Sequence, residues 1–251
     1  MKHKKLVVGN WKMYPERVED AKKIVADVRR VMSKVRKTNV VICPPFVYVP
    51  VFSGIKKGSL HLGAQSTNAE SSGSLTGEVS VSQLEQFNVD YIIVGHSERR
   101  KMGETDEVVN KKVKVVLDYG MTAILCVGES SRDHNGDYLD KIKDQIHYGL
   151  RGVEKKYLFQ VVIAYEPVWA IGAKEAMNSR DVHETSIYIR KVLNDMFGDY
   201  SSSVLILYGG AVDKFNTEKL VREGNVSGFL IGRQSLVSKD FVEIIKIVDS
   251  I

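Results

Sequence analysis

The chain has 251 residues, 43% of them hydrophobic, 27% charged and only 5 of them Pro, a composition that supplies a full core and excludes a disordered or low-complexity protein. Its longest nearly apolar run, 40–52, contains Pro44, Pro45 and Pro50 and falls short of the about 18 to 20 residues that cross a bilayer, so no membrane helix is expected. The net charge of +5 admits an anionic partner, while Cys43 and Cys126 sit in apolar surroundings without metal-ligand spacing and read as buried free thiols of a cytoplasmic protein.

The start, Met1-Lys-His-Lys-Lys5, carries the charge of a leader, but only Leu6-Val-Val8 follows before Gly9-Asn10-Trp11-Lys12, so export is not expected. Next come Val18, Ala21, Ile24, Val25, Val28, Val31, Met32 and Val35, at the three-and-four spacing of one helix face. Arg17, Lys22, Lys23, Arg29, Arg30, Lys34, Arg36 and Lys37 fall between them. The spacing therefore predicts a helix with a solvated basic side; no nucleic-acid motif or interleaved aromatics accompany that charge, and no nucleic-acid partner is expected.

Short runs rich in Val, Ile and Leu then recur at 6–8, 40–42, 60–62, 91–94, 123–125, 161–164, 204–207 and 229–231. They are too continuous for strands with one wet face and too short for most helices, which marks them as buried parallel strands. Helical periodicity fills the gaps at 79–87, 108–117, 138–150, 182–196, 215–221 and 241–248. The step between the second and third strands is only 20 residues, so the helix there must be short. Eight such units with no break in composition predict one domain over residues 1–251, an α/β fold closed as a (β/α)8 barrel; an open doubly wound sheet satisfies the same periodicity.

Polar residues and glycines collect where these strands end: Gly9-Asn10-Trp11-Lys12, Gly63-Ala64-Gln65, Gly95-His96-Ser97-Glu98, Gly128-Glu129, Tyr165-Glu166-Pro167, Gly209-Gly210 and Gly232-Arg233. In a parallel barrel all carboxyl ends share one face, so these groups converge. No dinucleotide or P-loop glycine pattern occurs, and His183-Glu184 lacks the second His of a zinc helix; no cofactor or metal is expected. Gly209-Gly210-Ala211 and Gly232-Arg233 end the seventh and eighth strands, where such barrels commonly hold a phosphate on backbone N–H groups. Taken alone, either pair also suits a tight turn.

Glu166 stands at the root of a long connection that runs to Asn178 before helical signals resume. Long connections in compact barrels are often lids, and a carboxylate at a lid's root suits a general base; were the segment to stand alone, a salt-bridged surface Glu would be the favoured reading. His96 precedes a helix start, which disfavours its charged form and keeps an N–H able to polarise a carbonyl, although a lone His is more often structural. Lys12 brings a cation to the same face, with Glu98 as a partner to hold it.

The runs Asn10-Trp-Lys-Met13, Gly63-Ala-Gln65, Val94-Gly-His-Ser-Glu-Arg-Arg100, Cys126-Val-Gly-Glu129, Ala164-Tyr-Glu-Pro-Val-Trp-Ala-Ile-Gly172 and Tyr208-Gly-Gly210 closely resemble the triosephosphate isomerase family, in order and from end to end. The resemblance implies a TIM barrel and isomerisation between glyceraldehyde 3-phosphate and dihydroxyacetone phosphate through an enediolate. It also implies Glu166 as the base, His96 acting on the oxygens, and Asn10 and Lys12 binding substrate and stabilising charge. Backbone amides at Gly172, Ala211, Gly232 and Arg233 would hold the phosphate. Three positions depart from the family pattern: the segment Gly172-Ala-Lys-Glu-Ala-Met177 where a Gly-Thr-Gly-Lys-Thr-Ala type is usual, Ala211 in place of Ser, and Arg233 in place of Gly. The stretch Ser74-Leu-Thr-Gly-Glu78 resembles the family loop that inserts into a neighbouring subunit, implying a homodimer. The altered segment leaves one alternative, a barrel that binds phosphorylated ligands without turnover.

Overall fold

The computed structural model describes residues 4–56, 58–133, 135–170 and 177–251. Eight parallel strands, β1 (Lys5–Asn10), β2 (Thr38–Cys43), β3 (Leu60–Ala64), β4 (Val89–Val94), β5 (Thr122–Val127), β6 (Val161–Tyr165), β7 (Leu205–Tyr208) and β8 (Gly228–Ile231), pair in sequence order, and β8 returns to β1. The sheet is thus a closed barrel and not an open doubly wound sheet.

Each strand is buried on both faces, which is why its sequence is apolar without alternation. One set of alternate residues, among them Leu6, Val8, Val41, Ile93, Ile124, Val162, Leu207 and Leu230, packs as its own cluster inside the barrel. The other set, such as Val7, Val40, Ile42, Ile92, Leu125, Ile163 and Phe229, joins the layer between barrel and helices. Both cysteines belong to the inner cluster, and burial pushes both thiols up, Cys126 additionally through the Glu166 carboxylate beside it.

The helices are α1 (Val18–Val31), α2 (Val81–Glu85), α3 (Ser97–Lys101), α4 (Asp106–Asp118), α5 (Asp137–Gly149), α6 (Ser179–Phe197), α7 (Thr217–Glu223) and α8 (Ser238–Ser250). On α1, Ala21, Ile24, Val25 and Val28 are buried, and the eight basic residues of 17–37 are all exposed, as their spacing predicts. Between β2 and β3 the expected short helix is replaced by two three-residue 3-10 turns, Phe46–Tyr48 and Pro50–Phe52. Pro50 has no N–H for an α-helical bond and its ring crowds the preceding turn, so a continuous helix cannot form there. Among the described residues no helix is long and apolar enough to cross a membrane.

Closure depends on one glycine. Gly228 has φ +144°, and a Cβ there would stand 1.9 Å from the Leu6 carbonyl oxygen, so only glycine lets β8 begin against β1. The ladder is uneven around the barrel: β1 and β2 register over six residue pairs, from Lys5 opposite Thr38 to Asn10 opposite Cys43, whereas β7 and β8 register only at Tyr208 opposite Phe229.

Candidate active site

Because the strands are parallel, their carboxyl ends bring distant segments to one face. Asn10 ends β1 with Lys12 two residues on; His96 lies between β4 and α3; Glu166 directly follows β6; Ala211 follows β7; Gly232 and Arg233 follow β8. All seven line one open cleft of about 790 Å³. The eighth expected residue, Gly172, lies outside the described residues, as does the segment 171–176.

Lys12 has φ 54°, a left-handed conformation uncommon for a residue with a Cβ. Its backbone is held on both sides: its N–H donates to Asn10 Oδ1 at 3.1 Å, and its carbonyl accepts from Gln65 Nε2 at 2.8 Å. Its Nζ donates to Glu98 Oε1 at 2.6 Å, the expected pairing. Both side chains are partly exposed, so the pair adds little stability, about 0 to 1 kcal/mol, but it aims the ammonium into the cleft. For Glu98, burial opposes ionisation; the hydrogen bond from Lys12 and the charge of its ammonium outweigh it and hold the carboxyl below the usual range.

His96 caps α3. Its Nδ1 accepts from the Glu98 N–H at 3.1 Å, which leaves Nε2 as the N–H of the neutral ring. That nitrogen lies 3.2 Å from Glu166 Oε1, while Glu166 Oε2 accepts from the Ser97 N–H at 3.2 Å. Both side chains are nearly closed to solvent, 7% exposed for His96 and 3% for Glu166. The Glu166 backbone is fixed by its own N–H, donating to the Val127 carbonyl at 2.8 Å, and by Gly128, where a Cβ would come 1.9 Å from the Glu166 carbonyl oxygen. The arrangement sets a carboxylate, an imidazole N–H and an ammonium around one cleft whose far wall is two glycine-bearing turns.

Residues 5–248 match the family model of triosephosphate isomerase. The chain belongs to the triosephosphate isomerase family. Among its relatives, the triosephosphate isomerase of Clostridium perfringens (strain 13 / Type A) is 39% identical over 244 residues, covering 96% of this chain and 98% of that one. Those of Clostridium botulinum (strain Okra / Type B1) and Natranaerobius thermophilus are 38% and 37% identical over the same 96% of the chain, covering 98% and 95% of theirs. It is an isomerase of triose phosphates, interconverting D-glyceraldehyde 3-phosphate and dihydroxyacetone phosphate.

Two groups around this triosephosphate isomerase site are given no role by the sequence, although Gln65 and Glu129 stand among its strand-end residues. Gln65 Nε2 bridges the carbonyls of Lys12 and Cys43 at 2.8 and 3.0 Å, tying the turn after β3 to the turn after β1. Its position at a strand end is the signal that could have found it. The second is a polar cluster around Glu129 that includes Arg132, a residue in an irregular loop with no pattern to mark it.

Proposed function

We propose that Glu166 is the base of the isomerisation, that His96 donates through Nε2 to the substrate oxygens, and that Lys12 and Asn10 bind substrate and offset the enediolate charge. The carboxylate takes the proton from the carbon beside the carbonyl. The electron pair moves onto the carbonyl oxygen, which takes a proton by way of His96 while the neighbouring hydroxyl gives one up, and the proton held by Glu166 returns to the former carbonyl carbon. The observation that carries this reading is the convergence of Glu166 and the His96 Nε2 at 3.2 Å on the cleft that Lys12 also lines. General-base catalysis at about 10² to 10⁴ and a positioned donor at about 10² to 10³ together offer about 5 to 10 kcal/mol, if additive. Positioning through the phosphate supplies much of the remainder.

In the resting site Glu166 Oε2 accepts from the Ser97 N–H and Oε1 lies 3.2 Å from His96 Nε2, so substrate must displace the Ser97 bond before the carboxylate can reach carbon. The phosphate is assigned to the backbone N–H groups of Gly172, Ala211, Gly232 and Arg233. The two departures among these, Ala211 and Arg233, keep their amides, and the Arg233 cation attracts a dianion. A coupled assay with glyceraldehyde 3-phosphate tests the reading. Turnover supports it; saturable binding of the substrate with no turnover favours the non-catalytic barrel instead.

The chain is further assigned to a cytoplasmic homodimer whose protomer is one domain over residues 1–251. Two observations support the pairing. The loop 72–78 is exposed throughout, with Leu75 47% accessible, and Met13, Tyr14, Val47 and Val51 are also exposed. Met13, Tyr14, Val47 and Val51 come from two segments joined by the Tyr48 hydroxyl, which donates to the carbonyls of Pro15 and Glu16, giving an apolar patch of the kind that protein partners cover. Thr76→Arg places a charged, longer side chain in the inserted loop and is expected to give monomers of poor activity. Sedimentation showing a fully active dimer for the variant, or a monomeric wild type, would refute the assignment.

A further inference from the structure

The cluster around Glu129 takes no part in the proposed reaction, yet it touches Tyr165, which directly precedes Glu166, and the residues on both sides of 171–176. Glu129 is 1% exposed, and its Oε1 accepts from the Tyr165 hydroxyl at 2.9 Å, the Trp169 indole N–H at 3.0 Å and Arg132 Nε at 3.0 Å. Arg132 Nη2 donates to the Tyr165 hydroxyl at 3.1 Å and to Thr185 Oγ1 on α6 at 3.0 Å. The guanidinium carbon stands 4.7 Å from the centre of the Tyr138 ring on α5 and 5.7 Å from that of Trp169. Met177, whose sulfur is 3.9 Å from the same Nη2, has its amide bound to the Tyr208 hydroxyl at 3.2 Å.

We propose that Arg132 is a positioning residue for the isomerisation, fixing Trp169 and Met177 on either side of 171–176 and, through Tyr165, the placement of Glu166. It rests on the reading of Glu166 as the base. Only a planar fork can serve here: one edge bonds Glu129, another reaches Tyr165 and Thr185, and the flat face lies against two aromatic rings. A lysine restores the charge but neither the fork nor the stacking. Without any cation, the Glu129 carboxylate is left buried with neutral donors alone and with Oε2 already lacking a hydrogen-bond partner. Such a charge rotates outward or takes up a proton, and either event releases Tyr165 and Trp169 together. Glu166 then spends less time in line with the carbon acid, and the enediolate is less well screened from water. An enediolate phosphate so exposed expels its phosphate: the electron pair moves into the carbon chain, the C–O bond at the third carbon breaks, and the resulting enol becomes methylglyoxal.

The test uses the full chain with Arg132→Met, Arg132→Lys and Thr185→Val, measuring kcat, KM and the fraction of turnovers that release methylglyoxal and inorganic phosphate. Arg132→Met is expected to lower kcat about tenfold or more with KM within about threefold, and to raise the methylglyoxal fraction several-fold. Arg132→Lys falls between it and wild type, and Thr185→Val shows a smaller shift in the same direction. Should Arg132→Met fail to fold, the other two decide, because both keep a cation beside Glu129. A product ratio and kcat within twofold of wild type would overturn the proposal. So would a loss of kcat that follows the melting temperature while the methylglyoxal fraction stays constant, since that is the mark of a merely structural residue. Glu166→Gln separates the two readings: if it keeps full turnover, the base assignment has failed; if it is inactive while the Arg132 variants behave as wild type, only Arg132 has.

Discussion

Glu166→Gln is expected to lower kcat by about 10²-fold or more while leaving KM close to wild type. The amide has the shape of the carboxylate, and its oxygen can still accept from the Ser97 N–H that now lies 3.2 Å from Oε2. What it cannot do is take a proton. Its NH2 group would also face the His96 N–H, setting donor against donor where the native pair meets at 3.2 Å. On the proposed assignment the phosphate is held elsewhere in the cleft, so the loss is expected in the chemical step. Steady-state kinetics on the purified variant decide the matter, and unchanged turnover would end the proposed mechanism.

Lys12→Met should damage both binding and turnover. Unit charges about 4 Å apart at an effective dielectric near 20 interact by about 4 kcal/mol, enough for a loss on the order of 10² to 10³ in kcat/KM when a dianionic substrate loses its cation. The variant does more than remove a charge, because Glu98 loses the partner that holds it at 2.6 Å and leaves a bare carboxylate beside the cleft. Adding Glu98→Gln to Lys12→Met should therefore recover part of the loss. Methionine is the right replacement because residue 12 has φ 54°; any residue with a Cβ bears the same backbone cost there, whereas Gly would relieve it and confound the comparison. His96→Gln is the complement, expected to lower kcat chiefly, with little change in phosphate binding. If Lys12→Met and His96→Gln both kept wild-type kcat/KM, their roles would have to be withdrawn.

The strand–helix units are legible in the sequence because a strand buried on both faces must be apolar at nearly every position; their closure is not, since the same spacing suits an open sheet and only the pairing of β8 with β1 decides it. The cleft is legible for a related reason: Asn10, Lys12, His96, Glu166 and Arg233 are polar residues set immediately after runs that are otherwise apolar. The connection after β2 is less so, since its 20-residue step limits length while only the proline positions dictate two 3-10 turns. Arg132 is beyond reach, because its meaning comes from Tyr138, Trp169 and Thr185 converging on it from three other segments. Neither periodicity nor local chemistry encodes that meeting.

The sparse registry between β7 and β8 bears on how the barrel opens. A seam joined at Tyr208 and Phe229, with one further backbone bond from Ser227 to the Ile206 carbonyl, is where the cylinder should breathe at least cost in free energy. The turns assigned to the phosphate, at Ala211 and at Gly232 and Arg233, leave the ends of those same two strands. An anion gripping both turns would therefore act as a staple across the split. At a ligand concentration 100 times Kd the linkage amounts to about 2.7 kcal/mol, so amide deuterium uptake in β7 and β8 should slow by up to about 100-fold on saturation with phosphate, far more than in β1 and β2. Equal slowing around the whole cylinder would show that the seam is not where it opens.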